Sequence, residues 1–216
     1  MIRMMLVDLW RRYAWLLVAL AAAATLAPVR VAMSVAAVDP TRTPGAMAIL
    51  ETSALAGPLL AIIASVSGLL LGAGVWYADQ TAGHVYSLTL PIPRWHYALL
   101  RYASGAILLS VIIIAFWIGA LAASSLVLLP VGILAYPTAL SVRFALTAFL
   151  MFSLFYALSS LTKRSAAVVL GLLALFVIVE IALDAAGADR SLVEWLFLER
   201  EADWLLPAGR WMLFDV

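Results

Sequence analysis

Five long apolar runs, at about 13–36, 55–78, 97–123, 141–161 and 166–183, dictate what this chain can become. Roughly 20 residues rising 1.5 Å each cross the ~30 Å hydrocarbon core of a bilayer, and the shortest workable run is about 17. Inside lipid every backbone N–H and C=O must find its partner within the segment, so such runs become helices. Composition agrees: 66% of residues are hydrophobic and 12% charged, against about 45–50% and about 25% in a soluble domain. The sequence predicts an all-α, polytopic membrane protein of about five transmembrane helices, surrounded by the lipid bilayer.

The connecting stretches carry the polar residues. Residues 1–12 set Met1, Met4, Met5, Leu6, Leu9 and Trp10 against Arg3, Asp8, Arg11 and Arg12. That pattern predicts an N-terminal amphipathic surface helix from which the chain turns into the bilayer. A signal peptide also begins with a basic segment and an apolar run, but this run is long and its A-x-A sites fall inside an Ala-rich helix. Residues 39–54, with Pro40, Pro44 and Gly45, read as a loop. Residues 124–140 hold Ser124, Ser125, Pro130, Gly132 and Pro137 around an apolar piece, 126–136, too short to cross. They read as a broken extension or a re-entrant turn. Thr162 to Ser165 make a tight basic turn.

The chain divides into a membrane domain, 1–184, and an external acidic tail, 185–216, with six acids and three arginines. Within the tail, Trp195, Leu198, Ala202 and Leu205 lie opposite Glu194, Glu201 and Asp203. This predicts an amphipathic helix over 191–206 along the outer surface.

Basic residues set the orientation. One side receives Arg3, Arg11, Arg12, Arg94, Arg101, Lys163 and Arg164, and the other Arg30, Arg42 and Arg143. The positive-inside rule then puts the N-terminus in the cytoplasm and, after five spans of a cytoplasmic (inner) membrane, the C-terminus outside.

Catalytic chemistry is not expected here. The only lysine, Lys163, follows SSLT, so there is no P-loop, and HExxH, GxSxG and GxGxxG do not occur. With no cysteine, thiol chemistry and Cys metal sites are excluded. No catalytic, cofactor or metal residue is assigned, and no basic patch suits nucleic acid. His84 and His96 read as surface or interfacial side chains. Gly68 and Gly72 form a GxxxG that permits close approach of two membrane helices, read as packing within one subunit ahead of a dimer seam. Four charges are candidates for a pathway or an intramembrane role. Arg30 can instead snorkel to the head groups; Glu180 and Asp184, one turn apart near an interface, can instead be hydrated. Arg143 could pair with either acid.

Between the second and third spans stands DQTAGHVYSLTLPIPRWHYALLR, Asp79 to Arg101. Trp76 and Tyr77 precede it as an interfacial belt, and Trp95 and Tyr97 match them on its other side. Residues 81–90 suffice for about two to three helical turns, ended by Pro91 and Pro93. The residues alone fit either a cytoplasmic loop with interfacial anchors or a short surface helix that a soluble partner could push.

An acid, three residues, Gly, an apolar stretch, then Pro-apolar-x-Arg and a new span stand here as Asp79, Gly83, Leu88, Leu90, Pro91, Ile92 and Arg94. This resembles the signature of ABC-2 type transporter permeases. The N-terminal segment, the loop after the first span and the ALSSLTKRSAAVVL turn fit that layout, so the resemblance covers about 1–184. It implies that 79–96 is a cytoplasmic coupling helix, contacting a separate ABC ATPase subunit through Asp79, Gly83, His84, Tyr86, Ser87, Leu88, Pro91 and Arg94. It also implies that ATP and Mg belong to that ATPase, and that a second permease subunit, identical or not, completes an exporter. His84 stands where that family commonly has Thr, and the family usually has six spans where five are read here. The missing span and the acidic tail keep a second reading open: a non-transporting membrane subunit that scaffolds or regulates a larger complex.

Overall fold

A computed structural model describes residues 2–37, 46–81, 93–127, 129, 132–161, six helical positions between 168 and 179, and 211–215. Its elements are α1 (Ile2–Ala37), α2 (Ala46–Thr81), α3 (Arg94–Leu126), β1 (Leu134–Ala135), α4 (Pro137–Leu161) and β2 (Phe214–Asp215). The chain forms two compact units, 1–160 with 210–216, and 161–209. Four of the described helices are long and apolar enough to cross a membrane, over Ile2–Ala36, Ala56–Tyr77, Trp95–Leu126 and Pro137–Ser160. The chain is thus nearly all helical and polytopic, as its apolar runs predict.

In the second unit, Val168, Gly171, Ala174, Leu175, Ile178 and Val179 are helical and exposed. The rest of the expected fifth span, with Glu180 and Asp184, and the expected tail helix lie outside the described residues.

Within the first unit the four helices alternate in direction. Tyr13 of α1 meets Gly74 of α2, Val75 meets Arg101 of α3, and Ala98 of α3 meets Tyr156 of α4. This defines one end of the bundle. Towards the other end, Thr25 of α1 meets Ala115 of α3 at 3.2 Å, and the rings of Phe116 and Phe144 stack at 4.1 Å.

The separate N-terminal surface helix is not formed. Residues 2–37 make one continuous α1 of 36 residues, about 54 Å long at 1.5 Å per residue. Leu9, Leu17, Ala24, Val31 and Val35 are all buried, at steps of eight, seven, seven and four residues. The apolar stripe of the first twelve residues therefore continues the core-facing stripe of the span. No Gly or Pro occurs before Pro28 to permit a turn where the surface segment would join the span.

The expected loop over 39–54 and the expected broken or re-entrant stretch over 124–140 are both partly helical. Of 39–54, residues from Ala46 onwards are helical, with Ile49 fully buried. The breakers end at Gly45, and AMAILETSALA contains none. Of 124–140, α3 continues through Ser124 and Ser125, whose hydroxyls donate back to Leu121 and Ala122 carbonyls at 2.8 and 2.7 Å. Pro137 opens α4 at the first helical position, where its missing N–H costs no hydrogen bond. Gly132 takes the left-handed turn between them, at φ +99°.

α2 and α4 meet along a small-residue seam. A Cβ on Gly68 would overlap the Ala148 carbonyl oxygen, and one on Gly72 would stand 2.6 Å from the Phe152 oxygen. Both partners advance by four residues, so the two helices run parallel, and the GxxxG is spent within the subunit. α1 and α3 make a similar approach, where a Cβ on Gly119 would overlap the Thr25 carbonyl oxygen.

The tail contains one more departure. Leu213 and Phe214 are buried at 1% and 0% exposure, and β2 pairs antiparallel with β1 through Leu134–Asp215 and Ala135–Phe214. Residues 211–215 thus belong to the core of the first unit, beside the α3–α4 connection.

Candidate functional site

The expected ATPase-contact segment is carried by the adjoining ends of α2 and α3. Asp79 lies in the last turn of α2, and Arg94 is the first residue of α3. Gly83, His84, Tyr86, Ser87, Leu88 and Pro91 lie outside the described residues, as does the expected short helix. The structure describes the anchorage on either side of them.

That anchorage is a polar and aromatic cluster set within the bundle. The Arg101 guanidinium donates through Nη1 to the Val75 carbonyl, tying α3 to α2. It also lies 5.5 Å from the centroid of the Trp76 ring and 5.3 Å from that of Tyr97. Two aromatic faces and a carbonyl dipole offset the cost of holding a cation inside a mostly apolar bundle. Tyr97 and Arg101 are four apart on α3, so both project from one face.

Further ties reach the outer helices. The Tyr13 hydroxyl donates to the Gly74 carbonyl at 3.2 Å, fixing α1 to α2. The Tyr156 hydroxyl donates to the Ala98 carbonyl at 2.6 Å, fixing α4 to α3. The hydroxyls of Tyr102 and Ser153 share a bond of 2.8 Å. The Tyr156 ring sits 5.3 Å from both Trp76 and Tyr102, tilted to one and edge-on to the other. The final turns of α2 and first turns of α3 therefore contact α1 and α4 through oriented bonds as well as packing.

One of these bonds gives a direct check. Tyr156→Phe removes the hydroxyl and keeps the ring, with an expected cost of about 1 kcal/mol. The thermal midpoint of the purified protein should fall by about 2–4 °C. An unchanged midpoint would show that the bond does not hold α3 to α4.

The pathway candidates lie towards the other end. Arg30 projects exposed from α1, five residues beyond Thr25, and Arg143 is half-buried beside Phe144 on α4. The structure thus puts Arg3, Arg11, Arg12, Arg94 and Arg101 towards one end and Arg30 and Arg143 towards the other. The expected pairing of Arg143 with Glu180 or Asp184 lies outside the described residues. His96 is exposed and stacks on Trp95 at 4.0 Å, consistent with an interfacial side chain.

Charge counting alone makes Arg101 one of the basic residues on one membrane side. Its position seven residues into α3, past Trp95 and Tyr97, is the available signal that it sits inside the bundle. Compared with known proteins, the chain matches no family model, no curated protein and no solved structure.

Proposed function

We propose that this chain is the permease subunit of an ATP-driven ABC transporter, working as an exporter. In this reading, segment 79–94 receives the movement of a separate ATPase subunit in the cytoplasm, and a second permease subunit completes the pathway. One observation carries it. The segment whose residues resemble the ABC-2 signature joins the two helices whose ends are tied, through Arg101, Tyr13 and Tyr156, to the rest of the bundle. A push on a connection so anchored moves the helices as bodies, the kind of rearrangement that switches a pathway between two states. ATP and Mg belong to the partner, because this chain has no phosphate-binding loop.

Co-purification under mild detergent tests the reading. Wild-type chain is expected to retain an ATPase subunit from its native membrane. Replacing Gly83, Tyr86 and Leu88 together with aspartate should cut that retention at least tenfold while leaving the yield of the membrane chain unchanged. Retention equal to wild type would overturn the coupling role. Native partners without any ATP-binding subunit would favour the scaffold reading, for which the acidic tail is the motivating feature.

A further inference from the structure

The same end of the bundle carries a charged cleft to which α1 contributes Asp8 and Arg12. It measures about 30 Å³ and opens between α1, α2 and α3. Arg12 and Asp8 line it from α1, Gly74 and Val75 from α2, and Arg101 from α3. Two arginines from different helices thus line one cleft with a single carboxylate. That carboxylate is only loosely engaged, with Asp8 Oδ1 at 3.9 Å from Arg12 Nη2 and both side chains substantially exposed. Arg12 keeps a planar fork of donors, the geometry that suits a phosphate.

The depth of the cleft is marked by aromatic residues. Trp10, Trp15, Tyr77 and Trp95 are 45%, 88%, 56% and 61% exposed, and all belong to the turns around Tyr13, Gly74 and Ala98. In a membrane protein such a ring of outward-facing Trp and Tyr sits at the head-group level. The cleft is thus at the height of lipid phosphates. Its volume admits about two water-sized groups, enough for phosphate oxygens with the rest of the molecule outside. Val18, 52% exposed on α1 on the bilayer side of Arg12, offers an apolar surface to acyl chains.

We propose that this cleft binds the phosphate of an anionic phospholipid, held between Arg12 and Arg101. The chemistry recognised is a phosphate monoanion, which a membrane supplies as phosphatidylglycerol or cardiolipin and solution supplies as inorganic phosphate. The bilayer is the source, because the cleft lies within the aromatic belt of exposed Trp and Tyr side chains. The lipid would join α1 to the α2–α3 pair at the level of Arg101, independently of any ATPase.

Native mass spectrometry of the purified chain tests this, using defined phosphatidylglycerol and phosphatidylcholine added to lipid-depleted protein. Wild type is expected to retain one phosphatidylglycerol with clear preference over phosphatidylcholine. Arg12→Gln should weaken retention about fivefold, the share of one basic group near a membrane surface, and Arg12→Lys should restore part of it. Asp8→Asn, which removes the competing carboxylate, should strengthen it. Equal retention of both lipids, or Arg12→Gln behaving as wild type, would overturn the proposal. In a second arm, millimolar inorganic phosphate should fail to displace the lipid; displacement would assign the cleft to a soluble anion instead. Because Arg101 also ties α2 to α3, the decisive variants are on α1, at the exposed side chains of Arg12 and Asp8.

Discussion

Replacing Gly68 with valine is expected to unfold or disperse the bundle. Association of helices in lipid lacks the hydrophobic drive available in water, so it depends on close packing and on small residues that permit it. At Gly68 the neighbour is backbone: a Cβ would overlap the Ala148 carbonyl oxygen and stand 2.9 Å from the Phe152 nitrogen. A flexible side chain could swing away, but a helix backbone can yield only by moving the whole of α4. Overpacking a core with extra side-chain atoms typically costs about 1–3 kcal/mol, and a contact with backbone belongs at or above the top of that range. Against a total stability of about 5–15 kcal/mol, this is a severe loss. The expected result is a fall of the monodisperse fraction on size exclusion in mild detergent, with a thermal midpoint about 10 °C lower or no transition. Ile62→Ala, at an exposed position of the same helix, should remain close to wild type. If the Gly68 variant matched the Ile62 variant, α2 and α4 would not pack as described.

Gly68 also shows what the sequence could and could not reveal. GxxxG announces a close approach, and the choice of a partner inside the subunit follows the bland expectation for such a motif. Its partner on α4, however, has no counterpart signature, because Ala148 and Phe152 contribute backbone atoms whose identity no side chain advertises. The spans themselves were legible from hydropathy, since lipid forces long apolar runs into helices. Their ends were not. Pro40, Pro44 and Gly45 suggest a loop as far as Ala54, although breaking residues act only where they stand. The first twelve residues show a different failure. An amphipathic stripe has the same pattern whether its apolar face meets lipid or the core of its own bundle, and Leu9 meets the core.

The anchorage site was half legible. Trp76, Tyr77, Trp95 and Tyr97 were recognised as interfacial by type and place, and Trp76 and Tyr97 prove instead to be buried and to flank Arg101. Which belt residues face outward depends on helix rotation, which local pattern does not specify. A count of basic residues places Arg101 on one side of the membrane but is blind to how far into a helix it stands. The hydroxyls of Tyr13, Tyr102 and Tyr156 could not be paired from sequence, since their partners lie 61, 51 and 58 residues away.

Phe214→Ala is expected to release residues 211–215 from the bundle. The β1–β2 ladder joins only two residues on each side, Leu134 with Asp215 and Ala135 with Phe214, and a pairing that short is not stable alone. What holds the segment is burial. Phe214 is fully enclosed, Leu213 is 1% exposed, and Gly57 of α2 leaves space for Trp211, whose carbonyl oxygen a Cβ there would approach to 2.9 Å. The Tyr136 N–H donates to the Leu213 carbonyl at 2.9 Å beside the start of α4. Removing a buried phenylalanine ring costs about 3–5 kcal/mol in a core that cannot collapse, more than a two-residue ladder and one further bond return. Limited proteolysis from the side bearing the α3–α4 connection should therefore cleave the Phe214→Ala protein near 211–215 at least tenfold faster than wild type. Phe214→Leu, which keeps most of the apolar volume, should remain protected, and Asp215→Ala, which leaves the backbone ladder intact, should change little. Equal cleavage of the Phe214→Ala and wild-type chains would mean that the acidic tail ends free of the bundle, as its composition alone suggests. Protection lost with the ring and kept with leucine would make the last apolar run, Trp211 to Phe214, a structural clasp between α2 and the α3–α4 connection.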